Sequence, residues 1–220
     1  MIDKILDVAG QKGTGQWTSA SALELGVPLT LITEAVFSRY LSTLYKDRQF
    51  LSKKFPKSAF LEKNLQIQVV HDALYAAKII SYTQGFMLLK QAAKTYGWSM
   101  PYAEIAGLWR GGCIIRSRFL GQIQTAFQNN SNLQSLVFDG FFGDALKKAD
   151  AGWRETLIFA IKSGISTPAL SAALAFYDGI RSAKLPANLL QAQRDFFGAH
   201  TFERTDQPRG QFFHYQWEEN

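Results

Sequence analysis

Apolar residues recur at intervals of three and four positions along most of this chain. Leu31, Ala35, Phe37 and Leu41 show this spacing, which places side chains on one face of an amphipathic α-helix. The two-residue alternation of a half-buried β-strand is hard to find in the sequence. The pattern therefore predicts an all-α fold, a bundle of helices.

The longest periodic segment runs from about Phe60 to Gly97 and contains no proline. Small residues such as Ala73, Ala76 and Gly85 recur within it, and they would let a second helix approach closely. We therefore predict one long central helix in this segment. Turn and cap residues predict breaks between helices at five further places: 97–101, 111–112, 129–132, 164–168 and 185–186.

Two segments of the chain resemble each other weakly. Three positions match in pairs: Trp17 with Trp153, Gly26 with Gly164, and, after a two-residue insertion, Pro28 with Pro168. An internal duplication would produce these matches, and so would convergence of two helical patterns. The residues alone leave both explanations open.

Length and composition indicate a single domain with a sizeable core, because 47% of the 220 residues are hydrophobic. The net charge of +6 suits an anionic ligand. The basic residues are scattered, however, and a nucleic-acid-binding protein is expected to cluster them on one face. We therefore expect no nucleic-acid partner.

Cys113 is the only cysteine, which excludes an intrachain disulfide and favours a buried structural thiol in a reducing compartment. The chain opens without a basic-then-apolar leader, and no apolar run reaches the ~20 residues that span a bilayer. We therefore expect a cytoplasmic protein with no membrane partner. His71 and His214 have no cluster of Cys, His or carboxylate residues around them, so no metal site is expected.

Residues 5–17, ILDVAGQKGTGQW, combine small residues with one lysine. Gly10, Gly13 and Gly15 would allow positive φ and close approach to a ligand, Lys12 supplies a charge, and Thr14 supplies a hydroxyl donor. That combination suits a phosphate. The spacing matches neither G-x-G-x-x-G nor a P-loop, and a plain glycine-rich turn remains open on spacing alone.

The same string closely resembles the signature of the decarboxylating 6-phosphogluconate dehydrogenases. The resemblance covers essentially the whole chain, but only the carboxy-terminal part of such an enzyme. Further similar blocks are ALELGVPLTLITEAVFSRYLS at 22–42, KIISYTQGFMLL at 78–89, WRGGCIIRSRFL at 109–120 and LPANLLQAQRDFFGAHTFER at 185–204. The family has a duplicated helical domain, so the resemblance implies that the weak similarity between the two segments of the chain reflects a duplication.

The resemblance also implies site residues. Lys12, Thr14 and Arg39 align with contacts to the substrate phosphate, whereas an arginine in the sequence around Arg39 is, without the resemblance, more often a snorkelling or ion-paired residue than a ligand contact. Arg194 and His200 match an arginine and a histidine that reach into the substrate site of the other subunit of a homodimer. Considered alone, the two residues have ordinary explanations: a surface ion pair of Arg194 with Asp195 or Glu203, and a solvated histidine.

The carboxy-terminal tail, residues 201–220, is too aromatic for a solvated end and too irregular for a helix. Its aromatic residues are Phe202, Phe212, Phe213, Tyr215 and Trp217. The tail could pack on its own domain, but the resemblance implies that it docks on the partner subunit. We therefore expect a helical substrate-binding and dimerisation domain over residues 1–200, followed by this tail.

Two other features favour structural roles. Arg110 beside Gly111 and Gly112 is expected to cap a helix end. An aromatic stripe is expected to lie in the core: Phe138, Phe141, Phe142 and Trp153.

The resemblance implies oxidative decarboxylation of 6-phosphogluconate to ribulose 5-phosphate with NADP, a step of the pentose phosphate pathway. In the family, an amino-terminal domain binds the cofactor, and a following helix supplies a lysine base and a glutamate acid. Because none of these motifs occurs in the chain, we assign it no catalytic residue and expect it to be inactive alone. The alternative is a non-catalytic oligomerisation or sugar-phosphate-binding module.

Overall fold

The computed structural model describes residues 1–57 and 65–217, which are mainly helical. The all-α prediction is confirmed, and each predicted break overlaps an interval between two helices, although Asn129 still belongs to the helix before its break and Pro168 to the helix after its break. The helices are α1 (Thr14–Glu24), α2 (Thr30–Thr43), α3 (Tyr45–Lys54), α4 (Ile67–Tyr96), α5 (Tyr102–Leu108), α6 (Leu120–Asn129), α7 (Gly140–Lys162), α8 (Pro168–Ile180) and α9 (Ala187–Gly198). Two short 3-10 helices, Ile2–Lys4 and Leu136–Phe138, and one antiparallel bridge between Phe202 and Phe213 complete the described elements.

Helix α4 is the predicted central helix and is 30 residues long. It ends where the sequence places a cap, because Gly97 adopts the left-handed conformation with φ +70°. Its start differs from the prediction: Leu65 and Gln66 are not helical, so the helix begins at Ile67. The remainder of the predicted start, residues 60–64, lies outside the described residues.

Helices α4 and α7 form the centre of the core. Ala73, Ala76 and Ile80 of α4 and Trp153 of α7 are fully buried. The backbones approach so closely that a β-carbon on Gly152 would lie 3.2 Å from Cα of Val69. Thr156 of α7 also donates a hydrogen bond of 3.0 Å to the Val69 carbonyl. Ala73 and Ala76 therefore serve close helix packing, whereas a β-carbon on Gly85 would meet no atom within 4 Å.

Helices α1 and α7 end in the same cap geometry, at two glycines that match between the two similar segments of the sequence. Gly26 has φ +66° and Gly164 has φ +62°, and each turn has a 6→1 backbone hydrogen bond of 2.8 Å. Helix α4 ends similarly at Gly97, so the shared cap does not by itself establish a duplication. The paired tryptophans differ: Trp17 is 71% exposed and Trp153 is buried.

Some aromatic and apolar residues that the sequence placed inside are exposed. Phe37 and Leu41 lie on α2, which contacts α1 and α4 on its other sides. In the predicted aromatic stripe, Phe142 and Trp153 are buried but Phe138 and Phe141 are exposed. The 3-10 turn directs Leu136 rather than Phe138 into the core. Cys113, predicted to be buried, is a partly exposed free thiol.

The chain divides into two compact units, Met1–Tyr177 and Asp178–Asn220. The core described above belongs to the first unit, and the second contains α9 and the tail. Among the described residues, no helix combines the length and apolar character needed to cross a bilayer.

Candidate functional site

The segment before α1 is held against the end of α2. The amide of Ala9 donates to Oγ of Ser42 at 2.9 Å, and the side-chain amide of Gln11 donates to the hydroxyl of Tyr40. These contacts fix the course of the loop that carries Lys12. The sequence motif is therefore held in place by side chains about thirty residues further along the chain.

Arg48 of α3 anchors the beginning of this loop at Asp7. Its Nη1 lies 2.6 Å from Oδ2, and its Nη2 lies 3.1 Å from Oδ1. The same Nη2 donates to the carbonyl of Ser42 at 3.0 Å, which links the anchor to the end of α2. The hydrogen bond from Arg48 lowers the pKa of the Asp7 carboxyl below its usual value. Arg48 was not among the predicted site residues.

Helix α1 begins directly after Lys12 and presents its amino terminus to solvent. Gly13 is the N-cap residue with φ +96°, and its carbonyl accepts the first helical bond from Trp17 at 2.9 Å. The first-turn N–H groups that follow, beginning at Thr14, have no partner within the helix and carry partial positive charge. Lys12 and Thr14 are both exposed at this end, where an anion can be bound.

The three glycines of the motif have different roles. Of the three, only Gly13 adopts the positive φ that all three glycines would allow. Gly15 is required for packing, because a β-carbon there would lie 2.8 Å from Cγ2 of Val36 on α2. The sequence motif could not reveal this contact, since it depends on how the two helices cross.

Arg39 lies on the exposed side of α2 and reaches the same loop. Its Nη1 donates to the carbonyl of Gly10, although the distance of 3.4 Å makes this a weak hydrogen bond. Within residues 1–57 and 65–217, neither Arg39 nor Lys12 has a carboxylate partner. The structure thus brings Lys12, Thr14 and Arg39 to one positively charged loop, where two cations remain available to a phosphate.

Gln84 was missed by the sequence analysis, although it supports the placement of α2. It is fully buried on α4, its Oε1 accepts from the amide of Leu31 at 3.0 Å, and its Nε2 donates to Oγ1 of Thr30 at 2.9 Å. An external side chain thereby caps the amino terminus of α2. The only available signal was a side-chain amide in the string KIISYTQGF, within the predicted central helix.

Arg194 and His200 lie together in the second unit. They line an open pocket of about 590 Å³ with Gln193, Phe197 and Gly198. Arg194 donates to Oε1 of Gln191 at 3.0 Å. The surface ion pair considered for it does not form, because Asp195 is buried and Glu203 pairs with Arg209.

Asp195 organises the tail around the end of α9. Its Oδ1 accepts from the amide of Thr201 at 2.9 Å and lies 3.0 Å from Nδ1 of His214. Its Oδ2 accepts from the amide of Tyr215 at 3.1 Å and from the indole of Trp217 at 2.9 Å. Burial raises the pKa of this carboxyl, but the hydrogen bonds, led by that from His214, outweigh burial and hold the pKa well below its usual range.

A third surface of the first unit is apolar. It is a groove of about 860 Å³ that extends from Thr14 past Trp17 to Tyr82, Leu89 and Trp109. Its lining suits apolar side chains rather than a phosphate. Among the described residues, no group of three or more His, Cys, Asp or Glu side chains is arranged to hold a metal ion.

Comparison with known proteins gives one consistent result. The family model "6-phosphogluconate dehydrogenase, C-terminal domain" matches residues 1–217. The chain is 56% identical over 207 residues to "6-phosphogluconate dehydrogenase, decarboxylating 1" of Saccharomyces cerevisiae, covering 92% of the chain and 42% of that protein. It is 53% identical over 221 residues to the decarboxylating enzyme of Rattus norvegicus, covering 99% and 46%.

A solved structure of Plasmodium falciparum 6-phosphogluconate dehydrogenase, studied in its apo form and in complexes with NADP+ and with 6-phosphogluconate, superimposes with a TM-score of 0.92. The identity is 41%, and the match covers 99% of this chain and 47% of that one. The chain therefore spans less than half the length of each of these relatives.

Proposed function

Because the chain belongs to the family of 6-phosphogluconate dehydrogenase C-terminal domains, we propose that it is the substrate-binding and dimer-forming domain of a cytoplasmic, NADP-dependent enzyme. That enzyme would oxidise 6-phosphogluconate at C3 and decarboxylate the resulting 3-keto acid to ribulose 5-phosphate. In this proposal residues 1–200 bind substrate and form the dimer, and residues 201–220 dock on the partner subunit.

The observation that carries the proposal is the positively charged loop at the amino terminus of α1. Lys12 is an exposed cation within this loop, Arg39 is an exposed cation that reaches the loop from α2, and Thr14 begins the helix there. Arg39 can hold two phosphate oxygens with its planar fork, while Lys12 acts as a point charge. Holding the phosphate would orient the sugar acid for reaction, which can contribute several orders of magnitude to rate.

Arg194 and His200 are proposed to act on the site of a second copy of the chain. Their pocket combines a cation and an imidazole with the apolar ring of Phe197. The surrounding surface is unusually apolar for a solvated helix end: Leu189, Leu190 and Phe197 are at least 62% exposed. Such a surface is typical of a protein interface.

NADP would accept the hydride in such an enzyme. The residues present do not fit a dinucleotide site, because the chain has no G-x-G-x-x-G turn and the glycine turn at Gly13 follows no strand. We therefore assign cofactor binding, and the lysine and glutamate that move protons in the family, to a part of the enzyme outside this chain.

Calorimetric titration of the chain tests the phosphate assignment. We expect 6-phosphogluconate to bind at least about tenfold more tightly than gluconate, because each charge-assisted contact contributes about 1.5 to 3 kcal/mol. Arg39→Ala should remove most of this difference. Lys46→Ala, which removes an exposed cation of α3, is the matched control and should retain it. Equal affinity for the two sugar acids would contradict the proposal.

The assignment of redox chemistry to another part of the enzyme has its own test. The purified chain should form no NADPH from NADP and 6-phosphogluconate. Any signal is compared with that of an Arg39→Ala preparation, because activity from a contaminating host enzyme would be equal in both. Turnover by the wild-type chain that is lost in Arg39→Ala would overturn the assignment.

A further inference from the structure

The last turn of α9 contains a buried carboxylate with an unusual number of partners. Asp195 is fully buried, and four groups from residues 201–217 approach its two oxygens within 3.1 Å. A buried charge is stable only when it is fully hydrogen-bonded. The tail therefore completes the environment of Asp195, and Asp195 in turn determines where the tail lies.

The backbone on both sides of His200 is strained. Ala199 has φ +49° and Thr201 has φ +59°, a left-handed conformation that non-glycine residues rarely adopt and that is especially costly for a β-branched residue. Hydrogen bonds to Asp195 hold both residues in this conformation. Its main-chain carbonyl accepts from the amide of Ala199 at 2.8 Å, and its Oδ1 accepts from the amide of Thr201 at 2.9 Å.

The strained backbone places the imidazole of His200 over Gly198. A β-carbon on Gly198 would lie 2.9 Å from Nε2 and 3.0 Å from Cδ2 of His200. Gly198 itself is helical and has no positive φ, while Ala199 adopts the left-handed cap. Glycine is therefore needed at position 198 for space, so that the ring can reach the pocket that it shares with Arg194.

We propose that Asp195 is a positioning residue for His200: its carboxylate and carbonyl hold residues 199 and 201 in their strained conformation and thereby fix the imidazole at the pocket. The role of His200 in binding a phosphorylated sugar acid rests on the proposed function. The positioning itself is a property of this chain and can be tested without a ligand.

The chemistry of the site requires a carboxylate. The amides of Thr201 and Tyr215 and the indole of Trp217 are all donors, and only an acceptor with two oxygens can serve them together. In Asp195→Asn, the new NH2 group would face at least one of these donors. The hydrogen bonds on that side would be lost, and the strained conformation at His200 would relax.

The first experiment follows the ring of His200 by NMR in the 220-residue chain, which contains only three histidines. In the wild type we expect nuclear Overhauser contacts between the His200 ring and Gly198. These contacts should disappear in Asp195→Asn, and the His200 ring resonances should shift. Asp206→Asn, which removes a tail carboxylate paired with Arg204, is the matched control and should leave them in place. Unchanged contacts in a folded Asp195→Asn chain would overturn the proposal.

Trp217→Phe provides a milder change if the second unit of Asp195→Asn does not fold. It removes a single donor from Oδ2, and it should weaken the same contacts in the same direction. If neither variant moves the ring, the proposal fails. Gly198→Ala tests the other side of the arrangement, because its methyl group should displace the ring while leaving every Asp195 hydrogen bond intact.

Kinetics in the full-length enzyme provide a readout that a merely structural role would not change. Asp195→Asn and Gly198→Ala should each raise KM for 6-phosphogluconate about tenfold, the size of one lost charge-assisted hydrogen bond, with a much smaller change in kcat. The double variant Asp195→Asn/His200→Ala should match His200→Ala alone, because both changes remove the same contact. Additive effects would show that Asp195 acts otherwise.

The positioning of His200 and its proposed substrate role can be overturned separately. If the His200 ring moves in Asp195→Asn but His200→Ala has no effect on KM, the positioning stands and the proposed substrate role of His200 is wrong. If His200→Ala raises KM but the ring stays in place in Asp195→Asn, the substrate role stands and the positioning is wrong.

Discussion

Arg48 donates to both carboxylate oxygens of Asp7, with Nη1 2.6 Å from Oδ2 and Nη2 3.1 Å from Oδ1. The pair joins the start of the loop that carries Lys12 to α3. The same guanidinium reaches the carbonyls of Asp7 and Ser42, so one side chain holds three points of the site. A lysine cannot reproduce this planar, forked geometry.

We therefore predict that Arg48→Lys in the full-length enzyme raises KM for 6-phosphogluconate by about three- to tenfold, less than loss of a direct phosphate contact, because exposed ion pairs are individually weak. Steady-state kinetics measure the effect. Arg154→Lys, which alters a similar arginine–aspartate pair within α7, is the control. A KM change of the same size in both variants would show that the Arg48 pair has no special relation to the site.

Arg39→Ala and Lys12→Ala should each raise KM for the phosphorylated substrate by roughly 10- to 100-fold, because each removes a charge-assisted contact of about 1.5 to 3 kcal/mol. KM for NADP should hardly change, since cofactor binding is assigned to another part of the enzyme. Lys46→Ala controls for loss of a positive charge. Wild-type KM values for 6-phosphogluconate in both variants would contradict the phosphate assignment.

Shared sites between subunits predict complementation. An Arg39→Ala enzyme and an Arg194→Ala enzyme, dissociated and mixed, should recover activity, because a mixed dimer has one site lacking both arginines and one lacking neither. Activity of the mixture is compared with the average of the two parents after the same treatment. Recovery no greater than that average would mean that each site is formed within one subunit.

The second unit should become less stable in acid through Asp195. Its folded-state pKa is lowered, although burial opposes the shift, so it lies below the unfolded-state value. The carboxylate therefore contributes its full stability above about pH 4, and this contribution is lost as the pH falls further. Urea unfolding, followed by tryptophan fluorescence, should show that the stability difference between wild type and Asp195→Asn narrows below about pH 4. A difference independent of pH would contradict this.

The α4–α7 contact should not tolerate a methyl group at Gly152. A β-carbon there would lie 3.2 Å from Cα of Val69, so Gly152→Ala is expected to destabilise the chain by about 1–3 kcal/mol through overpacking. Gly85→Ala is the matched control, because a β-carbon at that position in α4 meets no atom within 4 Å. It should be neutral or stabilising by about 0.5–1 kcal/mol. Denaturant unfolding compares them, and equal effects would refute the packing argument.

Much of the fold could be predicted from local pattern. The period of apolar residues and the turn residues determine where helices lie and where they end, and both depend on neighbours in sequence. The loop at Lys12 could also be predicted from local sequence, because its glycines, its lysine and its threonine follow one another along the chain. Arg39 could be assigned to this loop only through family resemblance, because its approach to Gly10 requires α2 to lie beside α1.

The remaining features depend on distant contacts. Gly15 and Gly198 are glycines for lack of space, not for positive φ, and only the neighbouring Val36 and His200 reveal this. In the sequence, Asp195 resembles a surface charge beside Arg194, and only the packing of the tail against α9 shows that it is buried. Phe37 and Leu41 follow a helical period, but a period cannot tell whether a neighbouring element covers that face.

The pairing of α4 with α7 also has a consequence for co-translational folding, because the two helices are synthesised at different times. Thr156 bonds to a carbonyl 87 residues earlier in the chain, so during synthesis α4 is complete well before its partner exists. At roughly 5–20 residues per second, synthesis of these 87 residues takes on the order of 4–17 s, and the Val69 carbonyl waits that long for Thr156. Helices α1 and α2, in contrast, are neighbours in sequence and can pair at once. The nascent chain therefore exposes α4 to chaperones for seconds before the core closes.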